Sequence, residues 1–240
     1  YPMQPLFTTL AFLTLLQGHA QSDLLKALGG LKVEEDNSPF VPNEFIGSFV
    51  LEQHHYKNGE ERKSSPNTMH YWGCEDKTIL YNLDKGATDA DMRILTDLRA
   101  KYTYSLQTDK NGRKTALKMR KKNMTVKTDP GDAPPEVTVT AETKTILGYT
   151  CVKTISKDKH GTWTGWIAQD VKAPFGDFMR SLGIGDTGKL SGFALESEFI
   201  DADGKNRTTN IVKELKVGPV DAAVFSLDGY EIQELPGLGN

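Results

Sequence analysis

Residues 143–171 read TKTILGYTCVKTISKDKHGTWTGWIAQDV, and they hold one of the chain's two cysteines and two of its three tryptophans. The stretch is rich in β-branched and aromatic residues and is broken by the polar run KDKHG, which spells strand, turn, strand. Trp163 and Trp166 stand three residues apart, so on a regular strand they point to opposite sides of a sheet. On this reading one plugs the core while the other covers a rim, with Gly165 between them as a candidate bulge. None of these residues is an obvious catalyst. The expectation is a central hairpin of a β-sheet, with Ile146, Tyr149 and Trp166 packing.

The same period of two runs outward in both directions. Upstream, FIGSFVLEQHHY from Phe45 alternates apolar and polar residues, and TMHYWGC, KTILYNL, KYTYSLQT and KTALKM read as further strands. Tyr71 and Trp72 repeat the two-faced problem of Trp163 and Trp166. TDADMRILTDL fits either a strand or a helix capped by Thr88, with the strand favoured. Downstream, SGFALESEFID and NRTTNIVKELKV flank Asp203-Gly204. Asn58-Gly59, Asn111-Gly112 and Asp203-Gly204 are hairpin dipeptides, because their residues tolerate positive φ. Two stretches carry helical spacing instead. SDLLKALGGL starts at a cap of Ser22 or Asp23 and stops at glycine, and APFGDFMRSLGIG places Phe175, Phe178, Met179 and Leu182 on one stripe. About ten strands against two or three short helices, with hairpin signals throughout, predict a mainly β (α+β) fold with a mostly antiparallel sheet.

The ends and the charge narrow the setting. An apolar run, LFTTLAFLTLL, is followed by small residues, so residues 1–20 read as a secretory signal with Gly18 and Ala20 before the cut. Residues 21–44 then form a helix and a proline-broken connector, 45–235 a single β-domain, and 236–240 a tail. The expected location is the periplasm or the extracellular space, with no membrane-spanning segment left after signal removal. Cys74 and Cys151 would then stand in an oxidising compartment, either bridged or as two separate buried thiols. A formal net charge of −3 argues against a nucleic-acid partner, whose capture needs a basic excess. The one basic block, Lys110 to Lys127, reads as a solvated edge-strand region, with Lys118, Arg120 and Lys122 on one face if the strand continues.

Candidate chemistry is sparse. His54 and His55 are adjacent and point to opposite faces of a strand, so with His70 they make no expected metal site. DADGKN at Asp201 has glycine in the wrong place for a calcium loop and reads as a hairpin turn. No nucleophile elbow, catalytic cysteine or phosphate loop is present, so neither a catalytic residue nor a cofactor is expected.

Four stretches together carry a resemblance. Ile146, Gly148, Tyr149 and Cys151 in one strand, Trp166 and Asp170 in the next, the hairpin at Asp203, and Phe225, Gly229 and Tyr230 resemble an exported Bacteroidota family, domain-of-unknown-function family 4412. Such families look like distant relatives of the periplasmic lipoprotein-carrier domains. The resemblance implies a strongly curved antiparallel sheet forming an unclosed barrel, with two or three short helices packed on it. It implies no catalytic residues. The functional expectation is a non-enzymatic exported protein that binds a lipid or other hydrophobic ligand, a lipidated chain or an envelope-protein segment on a concave β-surface. Trp163, Trp166, Phe175, Phe178 and Met179 are the candidate ligand and lid residues. The alternative is a structural or interaction module of the cell envelope without a small ligand.

Overall fold

A computed structural model describes residues 31–63, 65–83, 91–126, 133, 135–172 and 192–234. The expected signal at 1–20 and the helices expected in SDLLKALGGL and APFGDFMRSLGIG lie outside these residues. Among the described residues the helical turn is a short 3₁₀ segment, Ala222–Phe225, capped by the Asp221 carboxylate on the Ala223 amide. The ambiguous segment after Thr88 is a strand over its described part, Asp91–Asp97.

The chain forms two units. In one, strand β1 (Leu31–Glu35) pairs antiparallel with β9 (Lys122–Val126), Leu31 opposite Val126. Lys122 therefore belongs to another strand than Lys118 and Arg120, so the condition for their sharing one strand face is not met. The other unit is a large sheet built from β2 (Gly47–Lys57), β3 (Glu60–Glu61), β4 (Asn67–Gly73), β5 (Lys77–Leu83), β6 (Asp91–Asp97), β7 (Tyr102–Thr108) and β8 (Lys114–Arg120). It continues through β10 (Glu136–Ile146), β11 (Tyr149–Asp158), β12 (Gly161–Ala168), β13 (Phe193–Asp201), β14 (Asn206–Val217) and β15 (Glu231–Glu234). The order across it is β10-β11-β12-β13-β14-β2-β4-β5-β6-β7-β8-β15, with β3 on β2. The first and last strands do not pair, so the sheet is curved but unclosed. Every pairing is antiparallel except β15 on β8, which is parallel because the chain arrives there from a crossing segment instead of a hairpin.

The turns are where the dipeptides placed them. Asn58 and Gly59 take φ 52° and 86° between β2 and β3, and Gly112 and Gly204 are also left-handed. One turn escaped the sequence reading. Leu147 (φ 51°) and Gly148 (φ 85°) close a two-residue hairpin between β10 and β11, so Gly148 is a turn residue and not part of a strand. The hairpin read as central is also displaced: β10 is an edge, and β11 and β12 follow it.

Alternation divides the core between the two faces of the sheet. On β4 and β5, Tyr71 and Leu80 belong to one apolar cluster, while Trp72 and Ile79 belong to the other. The first cluster spreads over β11–β14, β2 and β4, around Phe45, Phe49, Tyr71, Trp163, Phe193 and Leu195. Its rings stack or meet edge to face, with Phe49 4.8 Å from Tyr71 and 5.0 Å from Phe193. Each such pair adds about 1 kcal/mol to the burial of its rings. The second cluster gathers Ile79, Leu95, Leu106 and Ala116 on the opposite face, where Phe225 covers them. That two-sided burial is why apolar Ile79 and Leu80 stand side by side in KTILYNL.

The entry to β2 is held by a close approach. Asn43 donates its amide to the carbonyls of Phe45 (2.7 Å) and Cys74 (3.3 Å) and to the Tyr71 hydroxyl (3.4 Å). A Cβ on Gly73 would lie 2.6 Å from that amide nitrogen and 2.8 Å from the Phe45 carbonyl oxygen, so only glycine lets the two segments meet. Burial among these groups pushes the Tyr71 hydroxyl well above the usual tyrosine range, against the bond from Asn43.

Candidate functional site

The register decides what each face offers. On the face of the first cluster, one transverse row runs Phe49–Tyr71–Leu80–Ile94–Ser105–Leu117 across β2, β4, β5, β6, β7 and β8. Phe49 and Tyr71 are buried, Leu80 and Leu117 are half-buried, and Ile94 is 41% exposed. The neighbouring row, Thr78–Thr96–Thr103–Met119, borders it with threonines and one further apolar side chain. The core thus closes over β2 and β4 and opens outward over β6 to β8 as a half-exposed apolar strip. Sequence reading missed this strip. Ile94 and Leu117 are single apolar residues in alternating strands, and only the register brings them into line.

A second row on the same face is polar. Thr154, Gly165, Ser197, Asn210, Gln53 and Asn67 stand opposite one another across β11, β12, β13, β14, β2 and β4. Gln53 donates to Asn210 at 2.8 Å, and Asn210 donates to Ser197 at 3.3 Å. Trp163 lies along its own strand over Gly165, whose Cβ, if present, would fall 2.1 Å from the ring. Gly165 is therefore a platform for the indole. Its pairing with Thr154 and Ser197 is regular, and the irregularity in β12 comes later, between Trp166 and Ile167 against β13. Among the described residues, the Thr154 hydroxyl and the Trp163 indole N–H are buried without a hydrogen-bond partner.

The sequence candidates separate. Trp163 is core, 4% exposed. Trp166 is half-buried and packs at the margin of the same first cluster, with the ammonium groups of Lys144 and Lys153 at 5.4 and 6.0 Å from its ring. Those lysines pair with Glu196 and Glu142. Phe175, Phe178 and Met179 lie outside the described residues. Cys74 and Cys151 are both free thiols, Cys151 in the first cluster and Cys74 against the second. Burial pushes both thiols above the usual cysteine range, away from nucleophilic character.

The histidines also disperse. His54 bonds Glu61 at 2.7 Å, His55 bonds Thr208 at 3.2 Å, and His70 lies beside Trp72 and Tyr81. Among the described residues no cluster of His, Cys, Asp and Glu could hold a metal ion. No helix among them is long and apolar enough to cross a membrane.

No family profile and no curated protein matches the chain. Solved structures with some likeness include an uncharacterized conserved protein from Thermus thermophilus, 10% identical, with a TM-score of 0.43 over 82% of this chain and 91% of that one. A putative outer membrane lipoprotein-sorting protein domain from Vibrio parahaemolyticus is 8% identical, with a TM-score of 0.30 over 87% of this chain and 96% of that one. PNGF-II is 18% identical, with a TM-score of 0.39 over 80% of this chain. The match spans 32% of the PNGF-II chain, about a third of its length.

Proposed function

We propose that the chain is a non-catalytic exported binding protein that receives a hydrophobic ligand, a lipidated chain or an extended protein segment on one face of its curved sheet. The seat is the apolar strip of Leu80, Ile94, Leu117 and Met119. The observation that carries this reading is the graded exposure along one register row, from buried Phe49 to exposed Ile94. The neighbouring part of that face is already filled by the chain's own aromatic rings, so an occupant extends this core instead of entering it.

A fluorescent fatty-acid analogue with an environment-sensitive dye tests the seat. The full chain should brighten the dye saturably. Ile94→Lys should weaken binding about tenfold, the equivalent of 1.4 kcal/mol of lost apolar contact, with the melting temperature preserved. Brightening that Ile94→Lys leaves unchanged would remove the strip from the site, and no brightening at all would sink the lipid version.

A second reading has its own observation. Edge strand β10 is exposed along nearly its whole length, with Val139 48% exposed, and an open edge can template another strand. A chain working as an envelope interaction module would use that edge and leave the dye dark.

A further inference from the structure

The face opposite the proposed seat carries a groove of its own. Its floor is Ser48 and Val50 of β2, its first side His70 and Trp72 of β4, and its second side Glu214 and Lys216 of β14. The cavity measures about 130 Å³, below the roughly 300–1,000 Å³ of an enclosing ligand pocket, so a single ring seated there stays partly in solvent. Register sets this composition: Lys216, Ser48 and Trp72 form one transverse row, and Glu214, Val50 and His70 the next.

A β-bulge makes the charged side. Val212 stands opposite Leu51 and Glu214 opposite Val50, so Lys213 is one residue too many. Without it the alternation from buried Val212 would send Glu214 and Lys216 toward the core and Leu215 outward. The extra residue reverses the phase, as bulges do. Leu215 accordingly packs against the first cluster, and both charges stand over the groove.

The side chains of Ser48, His70, Trp72, Glu214 and Lys216 make no hydrogen bond or ion pair with another described residue. The two aromatic rings are nearly parallel, 17° apart in plane with centroids 5.8 Å apart. Across the floor, β14 and β4 are two strand spacings apart, about 9.6 Å. One carboxylate and one ammonium leave the groove without net charge, so a strongly charged ion has no advantage there. An acyl chain would leave both charges without a partner.

The geometry points to a binding site for a neutral polyhydroxylated ring, such as a single hexose unit. Its apolar C–H face would rest on the Trp72 ring, against which His70 stacks. Its hydroxyls, each both donor and acceptor, would meet Glu214, Lys216 and Ser48. The site lies on the other face from the apolar strip, so either can fail without the other.

The test follows the Trp72 indole N–H by NMR in the full chain. Methyl glycosides of glucose, mannose and galactose and N-acetylglucosamine are added separately, with glycerol and free L-tryptophan as controls. The buried Trp163 indole serves as an internal reference that should stay still. At least one sugar should shift Trp72 saturably, with Kd on the order of 1–10 mM. Glu214→Gln and Lys216→Ala should each weaken it about fivefold or more without changing the melting temperature, since both side chains are exposed. No saturable shift with any sugar overturns the assignment. So does an equal response to glycerol, a response to L-tryptophan alone, or unchanged affinity in both variants.

Discussion

Gly165→Ala probes the packing of Trp163 most directly. The new Cβ would stand 2.1 Å from Trp163 Cη2, 2.4 Å from Cζ2 and 2.9 Å from Cζ3. Carbon atoms in contact settle at about 3.5 Å or more, so the ring must retreat by about 1.4 Å. It has little freedom to do so, being 4% exposed within the first cluster. Overpacking of this kind costs about 1–3 kcal/mol. At the midpoint of that range, a domain of this size should lose about 4–8 °C in melting temperature. Trp163→Phe deletes the outer indole ring that collides, and it also removes an indole N–H buried without a partner, a group whose burial costs about 1–3 kcal/mol. Gly165→Ala should therefore cost under about 0.5 kcal/mol in the Trp163→Phe background, a coupling of about 1.5 kcal/mol in the double-mutant cycle. Urea unfolding of the four proteins, followed by far-ultraviolet circular dichroism, measures it. Equal cost of Gly165→Ala in both backgrounds would refute the stacking of Trp163 on Gly165.

Three further outcomes follow from other parts of the sheet. Asn43→Ala removes the amide shared by the Phe45 and Cys74 carbonyls and the Tyr71 hydroxyl, so urea unfolding should show a loss of about 2–3 kcal/mol. The His55 imidazole is held below the usual histidine range by burial, then by Arg62 and His54. The unfolded chain therefore takes up this proton first, and stability should fall as pH drops below about 6.5 toward the lower folded value. His55→Gln should flatten the dependence of the urea midpoint between about pH 7.5 and 5.5. Finally, iodoacetamide should label half-buried Cys74 before buried Cys151 in the native chain, and unfolding without reductant should give two adducts by intact mass. A mass showing no adduct under those conditions would establish the bridge.

Much of the sheet was legible because its signals are local. Asn58-Gly59 and Asp203-Gly204 announce their turns through backbone freedom alone, and period-two alternation sends Tyr71 and Trp72 to opposite clusters. The Leu147-Gly148 turn was hidden because leucine rarely accepts φ of 51° and gives no turn signal. Both candidate sites were invisible for another reason. Ile94 and Leu117 join in a strip, and Glu214 joins Trp72 across a groove, only after strands far apart in sequence are set side by side.

Strand content, the dipeptide turns and the alternation of side chains along each strand were thus determined by the sequence itself, since each depends on neighbours within a few residues. Tertiary structure decided the rest. It put β10 at an edge, buried opposite faces of one sheet in two clusters, and let one extra residue at Lys213 turn Glu214 and Lys216 outward. These choices depend on register, which shifts every side chain to the other face with a slip of one residue and is set by packing across the whole sheet.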